Sequence, residues 1–449
     1  MSRDVVVVGG GCAGLSAATA LASLGAKVRL LEARRTLGGR SRSFVNRATG
    51  DVEDNGQHLF MGCYSSFLEF AGRTGGADAI EFAPRLEVVS IHPGGAVSKL
   101  EPASLPPPLD LMAGLARLRG FPVGDLAAAG SLVRDVRRGA PRAQGRTVAE
   151  WLDLLGASSA GRAVLWDPLT LAALNLDPGA APAVLFAEVV KRSLLGGPGA
   201  ARLGFAERGL DAVIARPARA YLGERGGEVL FGKVVERIET AGGRFASAVC
   251  RDGSRHEAGA AVLAVPPRAA AALLPRGASD FGPERAEALG ASPIVEVHLW
   301  FDRAVADRPM VGLVGSPVQW VFRRETAGGS AAGYAALLRS AADDWIEADG
   351  AEIVRSCLEE LRRFVPASRA AVLLRWRVIK EREATARFTP ANLSLRPPAE
   401  TALPNLALAG DWTDTGLPAT LEGAAASGER AAAILAGKGD SPYFRQERE

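Results

Sequence analysis

The sequence predicts an α/β protein built on a Rossmann-like dinucleotide-binding domain, joined by a mixed α+β substrate domain and a helical insertion. Three observations predict it. A β-branched run at residues 4 to 8 leads directly into a glycine turn and a small-residue helix. A second strand ends in a carboxylate, Glu32. Near the other end of the chain, residues 406 to 411 read as a short strand closing in Gly410-Asp411.

The first strand, Asp-Val-Val-Val-Val, suits a position buried on both faces of a parallel sheet. Gly9, Gly11 and Gly14 then fit G-x-G-x-x-G, with Cys12 and Ala13 opening a helix that runs to about Leu24 and stops at Gly25. Such a turn brings a helix N-terminus against a pyrophosphate. The strand from Lys27 to Leu31 ends at Glu32, near the offset where a carboxylate takes ribose hydroxyls, so a 2′-hydroxyl is expected there and a 2′-phosphate is not. Ala33 and Arg34 follow as further lining residues. Gly38, Gly39 and Arg40 add close backbone approach and a phosphate-pairing cation, which favours FAD over NAD; a glycine turn with a surface arginine is the plainer alternative.

Bulk properties narrow the class. A chain of 449 residues, 48% hydrophobic, supports about two or three domains with real cores. With 53 basic and 50 acidic residues the charge is too balanced for a nucleic-acid footprint across the whole chain, local basic patches aside, and no nucleic-acid partner is expected. Cys12, Cys63, Cys250 and Cys357 have no CxxC spacing, so no metal site is expected and the thiols are read as reduced. The opening residues lack a secretory pattern, and the apolar stretch 257 to 275 is broken by Pro266, Pro267 and Arg268. The expected location is the cytoplasm, with peripheral contact at the inner face of the cytoplasmic membrane left open.

The glycine turn, Glu32, Gly38-Gly39-Arg40 and Gly410-Asp411 together resemble the flavin-containing amine oxidase and phytoene desaturase superfamily. The resemblance implies an FAD domain of the glutathione reductase type, assembled from residues 1 to 60, 215 to 270 and 400 to 437. It implies a substrate domain from 61 to 104 and 271 to 399. By the same resemblance Gly410 and Asp411 meet the ribityl or phosphate region, and the helix start at Thr420, Leu421 and Ala424 lies beside the isoalloxazine ring. Val234, in an expected strand from Val229 to Ile238, is matched to the segment whose backbone holds adenine, and Ala264 to a later strand; for Val234, plain β-core is the alternative. The sequence lacks a match to the lysine that amine oxidases place near flavin N5 and lacks a paired aromatic cage near Trp412, which argues against amine oxidation.

Residues 105 to 214 read as the insertion, with helices at Leu109–Arg119, Val123–Arg138, Val148–Leu155, Ser159–Val164 and Ala183–Leu195. They are expected to cap the flavin. From Leu105-Pro106-Pro107-Pro108 to Arg138, apolar residues mix with Arg117, Arg119, Arg134, Arg137 and Arg138; contact with anionic lipid and an ordinary solvated face both fit.

Two segments, Asp54-Asn55-Gly56-Gln57-His58-Leu59-Phe60-Met61-Gly62-Cys63-Tyr64 and Trp166 to Asn175, resemble the bacterial hydroxysqualene dehydroxylases of hopanoid biosynthesis, and the likeness spans nearly the whole chain. That family removes the hydroxyl of hydroxysqualene with reduced FAD, giving squalene and water. The chemistry implies a general acid, a dry hydrocarbon-shaped cavity and few nucleophiles. Gly56, Gln57 and His58 are implied flavin contacts. His58 leads the candidate acids because an imidazolium titrates in the useful range. Asp54, Tyr64, Glu296 and His298 are the alternatives, with Glu296 and His298 on one face of an expected strand from Ile294 to Phe301. Glu422 is read first as a helix-dipole partner. Polyisoprenoid desaturation is the second reading; amine oxidation and a non-enzymatic isoprenoid carrier rank below it. No NAD domain or iron–sulfur cysteine set is recognisable, so the sequence names no electron donor.

Overall fold

The computed structural model describes residues 4–45, 50, 52–106, 109–323 and 333–437. Pro107 and Pro108 of the proline run lie outside them.

Its organising element is a five-stranded parallel sheet in the order Glu228–Phe231, Lys27–Glu32, Asp4–Val8, Ala260–Leu263, Leu406–Leu408. The valines of the first strand are buried on both faces because helices cover the sheet. One is Cys12–Ser23, which follows the glycine turn. Leu421–Leu435, from the far end of the chain, packs on it so closely that a Cβ on Gly428 would stand 2.3 Å from the Ala13 carbonyl oxygen. Small residues on both helices permit that approach, and Ser16 Oγ donates to Ala425 O at 3.0 Å. Both ends of the chain therefore complete one layer.

The strand expected from Val229 to Ile238 is instead two. Glu228–Phe231 ends the parallel sheet, Gly232 turns the chain at φ +72°, and Val235–Ala241 opens a separate antiparallel sheet with Arg244–Cys250 and Arg255–Glu257. Val234 sits in the connection, where its carbonyl accepts from Arg251 N at 2.8 Å. A continuous apolar pattern cannot reveal that its strand changes sheets.

A seven-stranded sheet runs Leu373–Ala386, Ala291–Phe301, Tyr334–Ser340, Trp320–Phe322, Met310–Leu313, Val88–Ile91, Val97–Leu100. Ala291–Phe301 lies between two antiparallel partners, so its inward side chains are removed from water.

The insertion contains helices Leu109–Arg117, Asp125–Arg137, Val148–Leu154 and Ala183–Ser193, with ends within two residues of expectation. Thr147 and Glu150 form a capping box at the third. The expected Ser159–Val164 helix is present and longer than expected: Ser159–Gly161 continues through a π-helical segment Arg162–Trp166 into the helix Asp167–Leu174. The stretch is not wholly helical either: Leu203–Phe205 pairs with Phe60–Met61 and Glu81–Phe82.

Candidate flavin site and active site

The glycines around the first turn occupy positions that a side chain would obstruct. A Cβ on Gly9, at φ +105°, would lie 2.3 Å from Ala264 O, and one on Gly14 would lie 2.0 Å from Gly9 O. Gly11 differs. A Cβ there would meet nothing within 4 Å, so the helix N-terminus opens onto free space. Gly38 and Gly39 wrap this turn: Gly38 N donates to Gly10 O at 2.8 Å, and a Cβ on Gly39 would lie 3.1 Å from Gly11 Cα.

Glu32 is 8% exposed and accepts from Gly10 N and Arg34 N, both at 2.7 Å. Gly10 was not among the expected site residues. It is needed because a Cβ there would stand 2.5 Å from Leu37 Cδ2 and 2.9 Å from Glu32 Oε2; the Gly9-Gly10-Gly11 run was the available signal. Ala33 and Arg34 are exposed beside it, and Lys233 N donates to Glu32 O at 2.9 Å, which brings Val234 to the same end of the sheet.

At the other end of the cradle, Arg40 donates to Asp411 Oδ1 at 2.7 Å and to Ala384 O at 2.8 Å. Asp411 is buried, and the preceding Gly410 donates its N–H to Ser427 Oγ at 2.8 Å. Thr420 caps the C-terminal helix by accepting from Gly423 N, with Leu421 and Ala424 buried behind it. Burial pushes the Cys12 thiol up, so it remains protonated; Sγ lies 3.8 Å from Leu421 O. Open space at a helix N-terminus, a carboxylate at the second strand and an Arg–Asp pair at the fifth fit an FAD laid across the strand ends.

The segment Asp54 to Tyr64 crosses toward the seven-stranded sheet. His58 Nδ1 lies 2.9 Å from Gly56 O and Nε2 lies 3.3 Å from Ser41 Oγ, an arrangement that suits a neutral ring donating from Nδ1 and accepting at Nε2. Burial lowers the His58 pKa, opposed by the Gly56 carbonyl and Asp54. The ring is thus poorly placed to hold the second proton that an imidazolium acid requires. Gln57 N donates to Glu296 Oε2 at 3.0 Å, and Gln57 Nε2 is buried with no hydrogen-bond partner among the described residues. Asp54 ties the loop down, accepting from Ser43 Oγ at 2.6 Å and Leu210 N at 3.2 Å. Tyr64 packs against the apolar cluster that contains Phe60 and Phe67, and burial pushes its phenol up. Asp54, Gln57, His58, Leu210, Phe322 and Arg323 line a small pocket.

Glu296 and His298 do share one face of their strand, and both are almost fully buried. His298 Nδ1 is 2.6 Å from Tyr334 Oη, and Nε2 is 3.9 Å from Glu296 Oε1. Tyr334 was missed because its partner lies in another strand. Glu422 is a dipole partner, but of a neighbouring helix: it accepts from Ser65 Oγ, Ser66 N and Phe67 N at the start of Ser65–Thr74. The Trp166–Asn175 segment ends in a crosslink. Asn175, at φ +51°, donates to Ser292 O and Thr385 Oγ1 and accepts from Ala341 N, fastening the insertion to the seven-stranded sheet.

The family profile described as flavin containing amine oxidoreductase matches residues 12–436. This chain belongs to that family. It is an FAD-dependent oxidoreductase, and its relatives narrow the branch. The hydroxysqualene dehydroxylase of Rhodopseudomonas palustris is 35% identical across 98% of this chain and 100% of its own. That of Sinorhizobium fredii is 32% identical across 96% and 98%. The 15-cis-phytoene desaturase of an Oncidium hybrid is 26% identical across 96% of this chain and 77% of its own. Among solved structures, an oxidoreductase from Methanosarcina mazei superposes with a TM-score of 0.73 at 17% identity, covering 95% of this chain and 98% of that one. Putrescine oxidase bound to putrescine gives 0.68 at 17%, covering 97% and 99%. These structural likenesses establish the flavin amine oxidase fold. Among the described residues, no helix of this family member is long and apolar enough to cross a membrane.

Proposed function

We propose that this flavoenzyme reductively dehydroxylates hydroxysqualene to squalene, in the biosynthesis of hopanoids. The observation that carries the reading is the end-to-end match, at 35% identity, to a protein named for that activity. The geometry is compatible with its demands, since the candidate acids Glu296 and His298 are withdrawn from water. When bound, reduced FAD supplies a hydride to the carbon that loses its hydroxyl.

The chain's residues divide the work. Gly9, Gly11 and Gly14 give the pyrophosphate its approach, Glu32 orients the ribose end, and Arg40 and Asp411 hold the central region. Gly56, Gln57, Thr420, Leu421 and Ala424 flank the ring, and Val234 and Ala264 border the adenine side. The acid comes from the set His58, Asp54, Tyr64, Glu296 and His298. Of these, Asp54 already serves as a loop anchor, and a neutral His58 is better suited to hydrogen-bonding the cofactor. The segments 1–60, 215–270 and 400–437 act as the FAD domain, 61–104 and 271–399 as the substrate domain, and 105–214 as its cap.

A lipid substrate makes membrane contact economical. Exposed Leu105, Leu109 and Val123 lie along the arginine-bearing stretch that ends at Arg138, and we assign peripheral docking at the inner face of the cytoplasmic membrane to it. Desaturation of a polyisoprenoid is the second reading, favoured by the 26% identity to a phytoene desaturase.

The deciding experiment is anaerobic. The flavin is reduced chemically, hydroxysqualene is added, and reoxidation is followed while squalene is measured by mass spectrometry. Stoichiometric squalene supports dehydroxylation. A reduced flavin that stays reduced, with oxidised enzyme bleached by a polyene, replaces it with desaturation.

A further inference from the structure

Glu296, His298 and Tyr334 form a buried polar row on one face of the seven-stranded sheet, where the register of the neighbouring strand sets Ile379, Arg377 and Arg375 opposite Glu296, His298 and Trp300. Alternation along Ala291–Phe301 sends Val295, Val297 and Leu299 into one cluster, while Glu296, His298 and Trp300 face the other way. Tyr334, register partner of Trp300 on the adjacent strand, reaches diagonally to place Oη 2.6 Å from His298 Nδ1. The second ring nitrogen lies 3.9 Å from Glu296 Oε1, and Glu296 Oε2 accepts from Gln57 N at 3.0 Å. Gly56 lies beside that contact, where a Cβ would stand 3.5 Å from Oε2 and 3.9 Å from His58 Cε1, in ordinary contact with both. The row therefore runs from the strand interior to the loop that meets Ser41, next to the Arg40–Asp411 pair.

On the Tyr334 side the row is packed by apolar residues. Met310, Phe322, Ala336 and Leu338 pack around Tyr334, with Ile294, Met61 and Trp300 against them. Burying three polar side chains among such residues costs several kcal/mol unless they are mutually satisfied. Apolar residues of equal size would build the same sheet at lower cost, so the row requires a purpose other than packing.

We infer that Glu296, in its protonated form, is the acid that delivers the proton to the departing hydroxyl, and that His298 and Tyr334 are positioning residues which hold it and renew its proton. The inference rests on the dehydroxylase reading. The substrate C–O bond breaks with its electron pair on oxygen, the Glu296 proton forms the new O–H bond, and water leaves. FAD, when bound in its reduced form, would supply the hydride that the carbon left electron-deficient then requires, and the Glu296 carboxylate regains a proton through His298 and Tyr334.

The test compares wild type, Glu296→Gln and Tyr334→Phe, all FAD-loaded and reduced anaerobically, in single turnover with hydroxysqualene. Glu296→Gln should keep its flavin absorbance and melting temperature while slowing squalene formation by about 100-fold or more. Tyr334→Phe removes one hydroxyl; in steady state with excess chemical reductant it should lower kcat several-fold at unchanged KM. It should also shift the His298 ring ¹⁵N resonances without substrate, a signal assignable because the chain has only four histidines. Wild type that makes squalene alongside an equally fast Glu296→Gln overturns the assignment. Should Glu296→Gln fail to fold, an unchanged rate and unchanged His298 resonances in Tyr334→Phe overturn it instead. Wild type that makes no squalene removes the dehydroxylase reading and the relay with it.

Discussion

Arg40 and Asp411 approach to 2.7 Å from opposite ends of the chain, and their pairing joins the second glycine segment to the last strand of the parallel sheet. Asp411 is buried and Arg40 half-exposed, so the carboxylate is the member whose loss leaves a gap in the cradle. Asp411→Ala should purify largely colourless, read as flavin absorbance per protein, whereas Arg40→Ala should bind FAD more weakly. A fully yellow Asp411→Ala protein would exclude that residue from cofactor binding.

The first glycine turn permits a sharper separation of folding from binding. At Gly14 the added carbon of alanine would collide with Gly9 O at 2.0 Å, whereas at Gly11 it would enter open space. Gly14→Ala should be destabilised by about 3 kcal/mol or more, because backbone must move. Gly11→Ala should melt like the wild-type apoprotein and yet lose flavin affinity. Thermal melts of the apoproteins together with flavin titrations distinguish the two.

Asn175 is saturated by Ser292, Thr385 and Ala341, and its left-handed backbone suits asparagine better than alanine. Asn175→Ala removes these bonds and leaves the buried Ser292 carbonyl and the half-buried Thr385 hydroxyl and Ala341 amide without them. The expected loss is about 3 kcal/mol or more, measured by chemical denaturation. A change below about 0.5 kcal/mol would show that the insertion is held in place by other contacts.

Burial lowers the His58 pKa from its ordinary value of 6.5, and the sign of the consequence follows. As pH falls through 6.5, the unfolded chain protonates this ring while the native site stays neutral, so the unfolded state binds more protons and stability declines. The decline ends once pH passes below the native pKa. His92 and His256 are lowered by burial as well and act in the same direction, so the contribution of His58 is a difference. His58→Gln should lose less melting temperature than wild type between about pH 7 and about pH 5. Parallel curves would mean that His58 titrates alike in both states.

The sequence by itself determined the features whose causes are local. A valine run followed by three closely spaced glycines, a strand ending in Glu32 and a strand ending in Gly410-Asp411 each carry their own signal, in periodicity or in the steric demands of glycine. The parallel sheet and the two helices at the chain's ends follow from them. Tertiary structure decided what depends on residues meeting across sheets. Val234 left its expected strand because Gly232 turns the chain into a second sheet. Glu422 found its amides on a helix that begins at Ser65, far from it in sequence. Tyr334 came to His298 only through the register of two antiparallel strands. Alternation can place Glu296 and His298 on one face, but no pattern within a strand specifies which neighbour that face will meet. That choice is made by the pairing of strands and by the burial that removes both from water.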